Sequence, residues 1–262
     1  MTAAGQDWDP AAYCRFGDLR LRPALDLLAR VGDLPGGGIA DLGCGSGAVG
    51  PVLRARWPDG ALTGIDTSPA MLEAAKGAGT YDRLDAGDAA AWVPREPVAL
   101  IFSNAALHWL ADHAGLMPRL AGLIAPGGWL AVQMPRQYGA PSHRFLRDIA
   151  ADMFPGRFGD GSAAPPVAAP ADCHRMLSPL GEPDVWETDY IQRLGPVPDK
   201  HPVRAFTEAT AMRPFLDRMD PEERPAFTAR YEAALASAFP EEGDGSVLFP
   251  FRRLFFTLRV PG

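Results

Sequence analysis

The 262-residue chain is poor in cysteine, lacks an excess of positive charge and contains no long apolar run; each shortage removes a class of protein. Cys14, Cys44 and Cys173 are odd in number and far apart, which gives neither a disulfide framework nor metal-ligand spacing. They read as buried thiols in a reducing compartment. His113, His143, His174 and His201 show no metal spacing either, so no metal is expected. Lysine and arginine number 25 against 32 acidic residues, a net charge of -7 that argues against a coat for nucleic acid or for an anionic membrane. No stretch approaches the roughly 20 apolar residues of a spanning helix, and the most hydrophobic tail, residues 247–260, is interrupted by Arg252 and Arg253. Residues 1–10 show no basic segment followed by an apolar one, so no secretory signal is expected and the cytoplasm is the expected compartment. Internal repeats and long charge runs are also missing.

What is present is an ordinary globular composition, 47% hydrophobic and 22% charged, which excludes disorder of the whole chain. The length fits a single α/β domain with insertions. Through residue 135, short apolar runs alternate with amphipathic helical stretches, the pattern of βαβ units around a mostly parallel sheet. Strands are expected at 38–42, 61–65, 81–86, 98–103 and 129–134, with helices at 48–57 and 112–124. Ser68-Pro69 opens another helix with a cap residue and a proline at its first position. Beyond Pro135 the pattern changes: a helix at 142–154, a Gly/Ala/Pro-rich loop at 155–170, a sixth strand at 184–194, helices at 201–219 and 221–239, and a last strand at 253–260. The two late helices are expected to cap a substrate. Residues 1–135 thus form the cofactor-binding half, and 136–262 complete the sheet and carry the cap around 201–240.

The sharpest local signal is Asp41-Leu42-Gly43-Cys44-Gly45-Ser46-Gly47, where the first strand turns into a helix. Glycines let a backbone turn tightly and approach a ligand with no Cβ in the way. The motif alone fits three readings: a tight turn with no ligand, a dinucleotide site, since Gly43, Gly45 and Ala48 satisfy its glycine spacing, and a nucleoside cofactor bearing a sulfonium. Asp66, at the end of the second strand, would accept ribose hydroxyls in either cofactor and discriminates nothing. Asp88, in Gly87-Asp88-Ala89 after the third strand, is placed to accept from an adenine amino group. Asp41 would repel a pyrophosphate but suits the amino-acid end of a sulfonium cofactor. These last two tilt the reading towards methyl transfer.

Together with Ser103-Asn104-Ala105-Ala106-Leu107-His108-Trp109, these residues resemble the class I methyltransferases. More narrowly, the chain is similar to the trans-aconitate 2-methyltransferase family over nearly its full length. The likeness runs from Trp8-Asp9-Pro10, Tyr13, Phe16 and Arg20-Leu21-Arg22-Pro23 through Leu130-Ala131-Val132-Gln133-Met134-Pro135 to Arg213-Pro214, Arg230-Tyr231 and Arg253-Leu254-Phe255. It implies a Rossmann-like seven-stranded sheet with helices on both faces and a C-terminal helical cap. It also implies S-adenosylmethionine as cofactor and S-adenosylhomocysteine as product. The expected cofactor contacts are Asp41, Gly43, Cys44, Gly45, Gly47, Asp66, Thr67, Asp88, Ala89, Asn104 and Ala105. The implied reaction forms a monomethyl ester of trans-aconitate. A biosynthetic methyltransferase acting on another acid or a carrier-bound acyl group is the alternative, and an NAD(P)-dependent oxidoreductase a more remote one. The chain departs from frequent family residues at Ser46, Ala48 and Ala89, and from some relatives at His108, which bears on affinity and substrate more than on reaction type.

A carboxylate is already ionised at neutral pH, so attack on a methyl sulfonium needs alignment and exclusion of water and no catalytic base. Arginines should therefore hold the carboxylates that are not methylated. Arg22, Arg230 and Arg253 belong to the wider set, but the expected substrate contacts are Tyr13, Arg20, His108, Trp109, Arg213, Tyr231 and Arg252. Arg252 and Arg253 are adjacent on a strand, so at most one reaches a given face. A small carboxylate is the expected partner, and a monomer the expected state.

Overall fold

A computed structural model describes residues 17–159 and 165–262, with side chains described from residue 21 onward. Helix α1 (Gly17–Leu28) leads to β1 (Ile39–Leu42), α2 (Gly50–Arg56), β2 (Leu62–Asp66), α3 (Pro69–Ala78), β3 (Arg83–Ala86) and β4 (Val98–Asn104). A 3-10 turn, Leu107–Trp109, precedes α4 (His113–Ala121) and β5 (Ile124–Pro135). Then come α5 (Pro141–Met153), α6 (Pro170–Leu177), a second 3-10 turn (Ser178–Leu180), β6 (Glu182–Leu194), α7 (Pro202–Glu208), α8 (Arg213–Leu216), α9 (Arg224–Ala238) and β7 (Val247–Arg259).

The seven strands are ordered β3-β2-β1-β4-β5-β7-β6. β1, β2, β3, β4 and β5 pair in parallel, and β7 runs antiparallel to β5. All four residues of β1 and the first six of β4 are buried, as continuous apolar runs covered on both faces must be. The Rossmann-like α/β expectation is met, and the expected first five strands are found with shifts of a few residues. An antiparallel β7 inserted between β5 and β6 departs from the 3-2-1-4-5-6 order of dinucleotide folds.

Local chemistry accounts for the boundaries. Ser68 caps α3 by accepting a 3.2 Å bond from the Met71 amide, Pro69 fills the first turn, and Gly79 ends the helix in the left-handed conformation. The helix expected at 201–219 is instead two short helices, α7 and α8. Pro214 sits in the first turn of α8, where its missing amide leaves no helical bond unmade, so a new helix begins beside it. β7 starts at Val247, six residues before the expected 253. Val247, Phe249 and Phe251 alternate inward, while Pro250 sits on the exposed face where its missing amide is tolerated.

The chain clusters into two compact units. The sheet unit contains residues 17–135, 167–188 and 253–262. Its main core joins Leu42, Ile101, Leu130, Val132 and Phe256 to Met117 and Leu120 of α4 and to Cys173 and Leu177 of α6. The other unit contains residues 136–159, 165–166 and 189–252 and is mainly helical. In it, Phe206, Phe239, Phe249 and Phe251 meet edge to face, and α9 packs on α5 and α7. No helix among the described residues is long and apolar enough to cross a membrane.

Candidate functional site

At the carboxyl ends of β1, β2 and β4, the first glycine turn folds against its neighbours. The amides of Gly43 and Cys44 both donate to Ile65 O, at 2.7 and 3.0 Å, which ties the turn to β2. Gly43 and Gly47 have φ of +74° and +85°, a region that residues with a Cβ avoid. A Cβ on Gly43 would lie 2.1 Å from that of Ala106 in the loop after β4, whereas one on Gly45 would meet nothing within 4 Å. The turn is therefore closed on the β4 side and open at Gly45, so the backbone there is accessible to a ligand.

Asp66 organises this mouth. Its Oδ2 accepts from the Gly45 amide at 2.9 Å and its Oδ1 from the Ser68 amide at 2.9 Å. Each oxygen keeps a lone pair for a ribose hydroxyl. Thr67, next to it, is exposed. Asp88 is also exposed, with Oδ1 accepting from the Ala90 amide at 2.8 Å; the turn it starts is held by Arg119, which donates to the carbonyls of Ala89 and Trp92. Arg119 was not signalled by the sequence, because it acts from α4 across about 30 positions of chain through backbone acceptors alone.

Asp41 differs from its expected role. It is 1% exposed, accepts a 2.7 Å bond from the Tyr81 hydroxyl, and burial pushes its pKa up to about 7, with the Tyr81 bond opposing and Asp66 adding to the rise. Asp41 is a buried carboxyl beneath the turn, and burial favours its protonated form. Cys44 contributes backbone; burial drives its thiol well above the ordinary range.

Asn104 ends β4 and Ala105 follows it at a φ of +55°, a strained conformation for a residue with a Cβ, its amide held by Gln133 O at 2.9 Å. His108 and Trp109 lie on the 3-10 turn beyond, rings 4.7 Å apart, with Trp109 48% exposed. The cofactor candidates from Asp41 to Ala105, together with His108 and Trp109, are all in the sheet unit.

The remaining substrate candidates divide. Tyr13 lies outside the described residues, and Arg20 lies in α1. Arg213 opens α8 in the helical unit, 3.9 Å from Asp217. Tyr231 is fully buried, with its hydroxyl 2.8 Å from Ser142 O and 3.1 Å from Thr207 Oγ1, so it pins α9 to α5 and α7. Arg252 is tied to β6. Its guanidinium is half-exposed and grips Asp189 with two 2.8 Å bonds, while the buried member of the pair is Arg253, 2% exposed. The two arginines face opposite sides of β7, as strand alternation requires. Among the described residues no group of three or more His, Cys, Asp or Glu side chains could hold a metal.

A model of a methyltransferase domain matches residues 15–161. The chain is 44% identical over 259 residues to a trans-aconitate 2-methyltransferase of Methylobacterium radiotolerans, covering 97% of this chain and 98% of that one. It is 41% identical over 278 residues to one of Streptomyces coelicolor, covering 100% and 89%. Among solved structures, a phosphoethanolamine N-methyltransferase of Haemonchus contortus aligns with a TM-score of 0.59 at 15% identity, covering 97% of this chain and 57% of that one. The YcgJ protein of Bacillus subtilis aligns at 0.55 and 14% identity, covering 92% and 99%. At those identities the structural likeness speaks for the fold. The fold with its antiparallel seventh strand, the glycine turn with its aspartates and the full-length sequence likeness all agree: the chain belongs to the trans-aconitate 2-methyltransferase family of class I methyltransferases.

Proposed function

We propose that the protein transfers a methyl group from S-adenosylmethionine to one carboxylate of trans-aconitate, giving a monomethyl ester. The observation that carries this reading is full-length identity above 40% to relatives of that name, on a glycine turn suited to a nucleoside cofactor. The residues fit the cofactor. The open backbone at Gly45 receives it, Asp66 accepts its ribose hydroxyls, Asp88 and Ala89 receive the adenine end, and Asn104 and Ala105 border the methyl side. S-adenosylmethionine, when bound, supplies an electrophilic methyl on a positively charged sulfur.

The work left to the chain is alignment. An ionised carboxylate oxygen needs no proton removed before it attacks in line, so the residues around it act by holding the acid and keeping water out. His108, Trp109, Arg20, Arg213 and Tyr13 remain the candidates for that role. The same reading assigns substrate recognition to the helical residues 201–240 and describes a monomer acting in the cytoplasm on a small acid. The family likeness disfavours an oxidoreductase, and the sheet order supports the same conclusion.

The test is an assay with S-adenosylmethionine against trans-aconitate, cis-aconitate, citrate, isocitrate and a malonyl thioester, with products identified by mass. Preferential esterification of trans-aconitate is expected. A preference for the thioester would replace the proposed substrate with a carrier-bound acyl group, and no ester from any acid would remove the carboxylate from the account.

A further inference from the structure

Across the carboxyl edge of the sheet the register places polar side chains in one row. Asn104 on β4 stands opposite Gln133 on β5, and Gln133 opposite Phe255 on β7. Side chains on neighbouring strands in register share a face, so Asn104 and Gln133 point to the same side with strands about 4.8 Å apart. Arg253 lies two residues from Phe255 on that same face, opposite Pro135 where β5 ends. Its guanidinium donates to Gln133 Oε1 at 3.2 Å.

This pair is unusual for a sheet interior. Gln133 is 0% exposed and Arg253 2% exposed, on strands whose other buried residues are mostly apolar. A guanidinium has only donors, so the atom of Gln133 facing it must be the oxygen, which fixes the amide orientation. That leaves Gln133 Nε2 as a buried amide donor, and it finds no acceptor among the described residues. A donor in that state is a penalty natural cores seldom carry without a use. An anion accepting from Nε2 and from the guanidinium would relieve it. The site also adjoins the proposed methyl side, since the Gln133 carbonyl holds the strained Ala105, and Ala106 closes on Gly43.

We propose that Gln133 and Arg253 form an anchor for a carboxylate of the substrate that is not methylated, and so set the preference for polycarboxylic acids. The proposal rests on the methyl-transfer reading above. It assigns the anchor to the buried pair on β5 and β7, distinct from the expected substrate arginines Arg20, Arg213 and Arg252. Because the anchored carboxylate takes no part in bond making, its loss should weaken binding of substrate and transition state alike.

Gln133→Glu and Arg253→Lys test it. The glutamate keeps the shape of Gln133 and gives Arg253 an ion pair, so a merely structural pair predicts a stable protein with unchanged substrate binding. An anchor predicts the reverse for the substrate, because the new carboxylate takes the guanidinium and repels the acid. Two readouts are needed: KM and kcat for trans-aconitate at saturating cofactor, and calorimetric binding of trans-aconitate to protein loaded with S-adenosylhomocysteine. The expected result for both variants is a KM raised by about tenfold or more, kcat changed far less, and calorimetric affinity lost in parallel. If the wild type esterifies trans-aconitate and both variants keep its KM, the anchor is overturned and the methyl-transfer reading stands. If the wild type binds trans-aconitate without esterifying it and the variants lose that binding, the anchor stands and the reaction assignment falls. Wild-type protein that does not bind trans-aconitate at all would sink both.

Discussion

Around Gly43, a single added carbon would meet Ala106 in a backbone conformation that already disfavours a Cβ. Gly43→Ala should therefore push the loop after β4 away from the turn and abolish measurable binding of S-adenosylmethionine by calorimetry; retained affinity would place the cofactor elsewhere. Asp66→Ala removes the acceptor for the Gly45 and Ser68 amides along with the proposed ribose contact, and should weaken cofactor affinity by about tenfold or more. Asp41 supplies a pH dependence. Its pKa is raised from 3.8 to about 7 in the folded protein, so the folded state holds a proton that the unfolded chain releases above pH 4. That contribution to stability is complete below about pH 4, declines as pH rises towards 7, and is gone above it. Urea unfolding of the wild type should show this fall between about pH 4 and 7, and Asp41→Asn should flatten it; an unchanged slope in the variant would assign the dependence to another group. Tyr231→Phe should lose on the order of 1 kcal/mol of thermal stability and leave the KM for trans-aconitate alone, whereas a raised KM would restore Tyr231 as a substrate contact.

At the scale of elements, the α3 cap is the most direct test of how sequence sets a boundary. Ser68→Ala should destabilise the protein by about 1 kcal/mol, read as a lowered melting temperature; no change would mean that Pro69 and the Asp66 contact to the Ser68 amide suffice. The same boundary was legible in advance, because Ser-Pro at a helix start and glycine at its end are local signals. So were the central strands, whose continuous apolar runs need no knowledge of their neighbours. What was not legible depended on long-range partners. The early start of β7 was hidden by Pro250, which usually argues against a strand and is acceptable only because that position faces outward. The break between α7 and α8 coincides with Pro214 in the first turn of α8, a helix-start signal inside the stretch expected to be one helix. Arg119 reaches carbonyls, which carry no sequence signal, and Gln133 looked like one more residue of an apolar strand.

For the whole molecule, composition bounded the class and the glycine turn together with Asp41 and Asp88 tilted the reading towards a sulfonium cofactor, but the acceptor acid was suggested only by resemblance. That asymmetry is physical. A strand-to-helix turn that receives a nucleoside must repeat its glycines and aspartates in fixed order, while carboxylates can be held by arginines, amides or hydroxyls from almost any element. Hence Asp41, Gly43, Gly45, Gly47 and Asp66 could be singled out from spacing, whereas Tyr231 and Arg252 could be named only from the family resemblance. The central claim is that one site on the sheet unit delivers a methyl group to trans-aconitate. Its most direct test is to supply S-adenosylmethionine with a deuterated methyl group and trans-aconitate to the wild type and to Asp66→Ala side by side, following the labelled ester by mass. The account predicts labelled trans-aconitate monomethyl ester from the wild type and about a tenth or less from the variant at the same subsaturating cofactor concentration. Equal yields from the two proteins, or no labelled ester from the wild type, would contradict it.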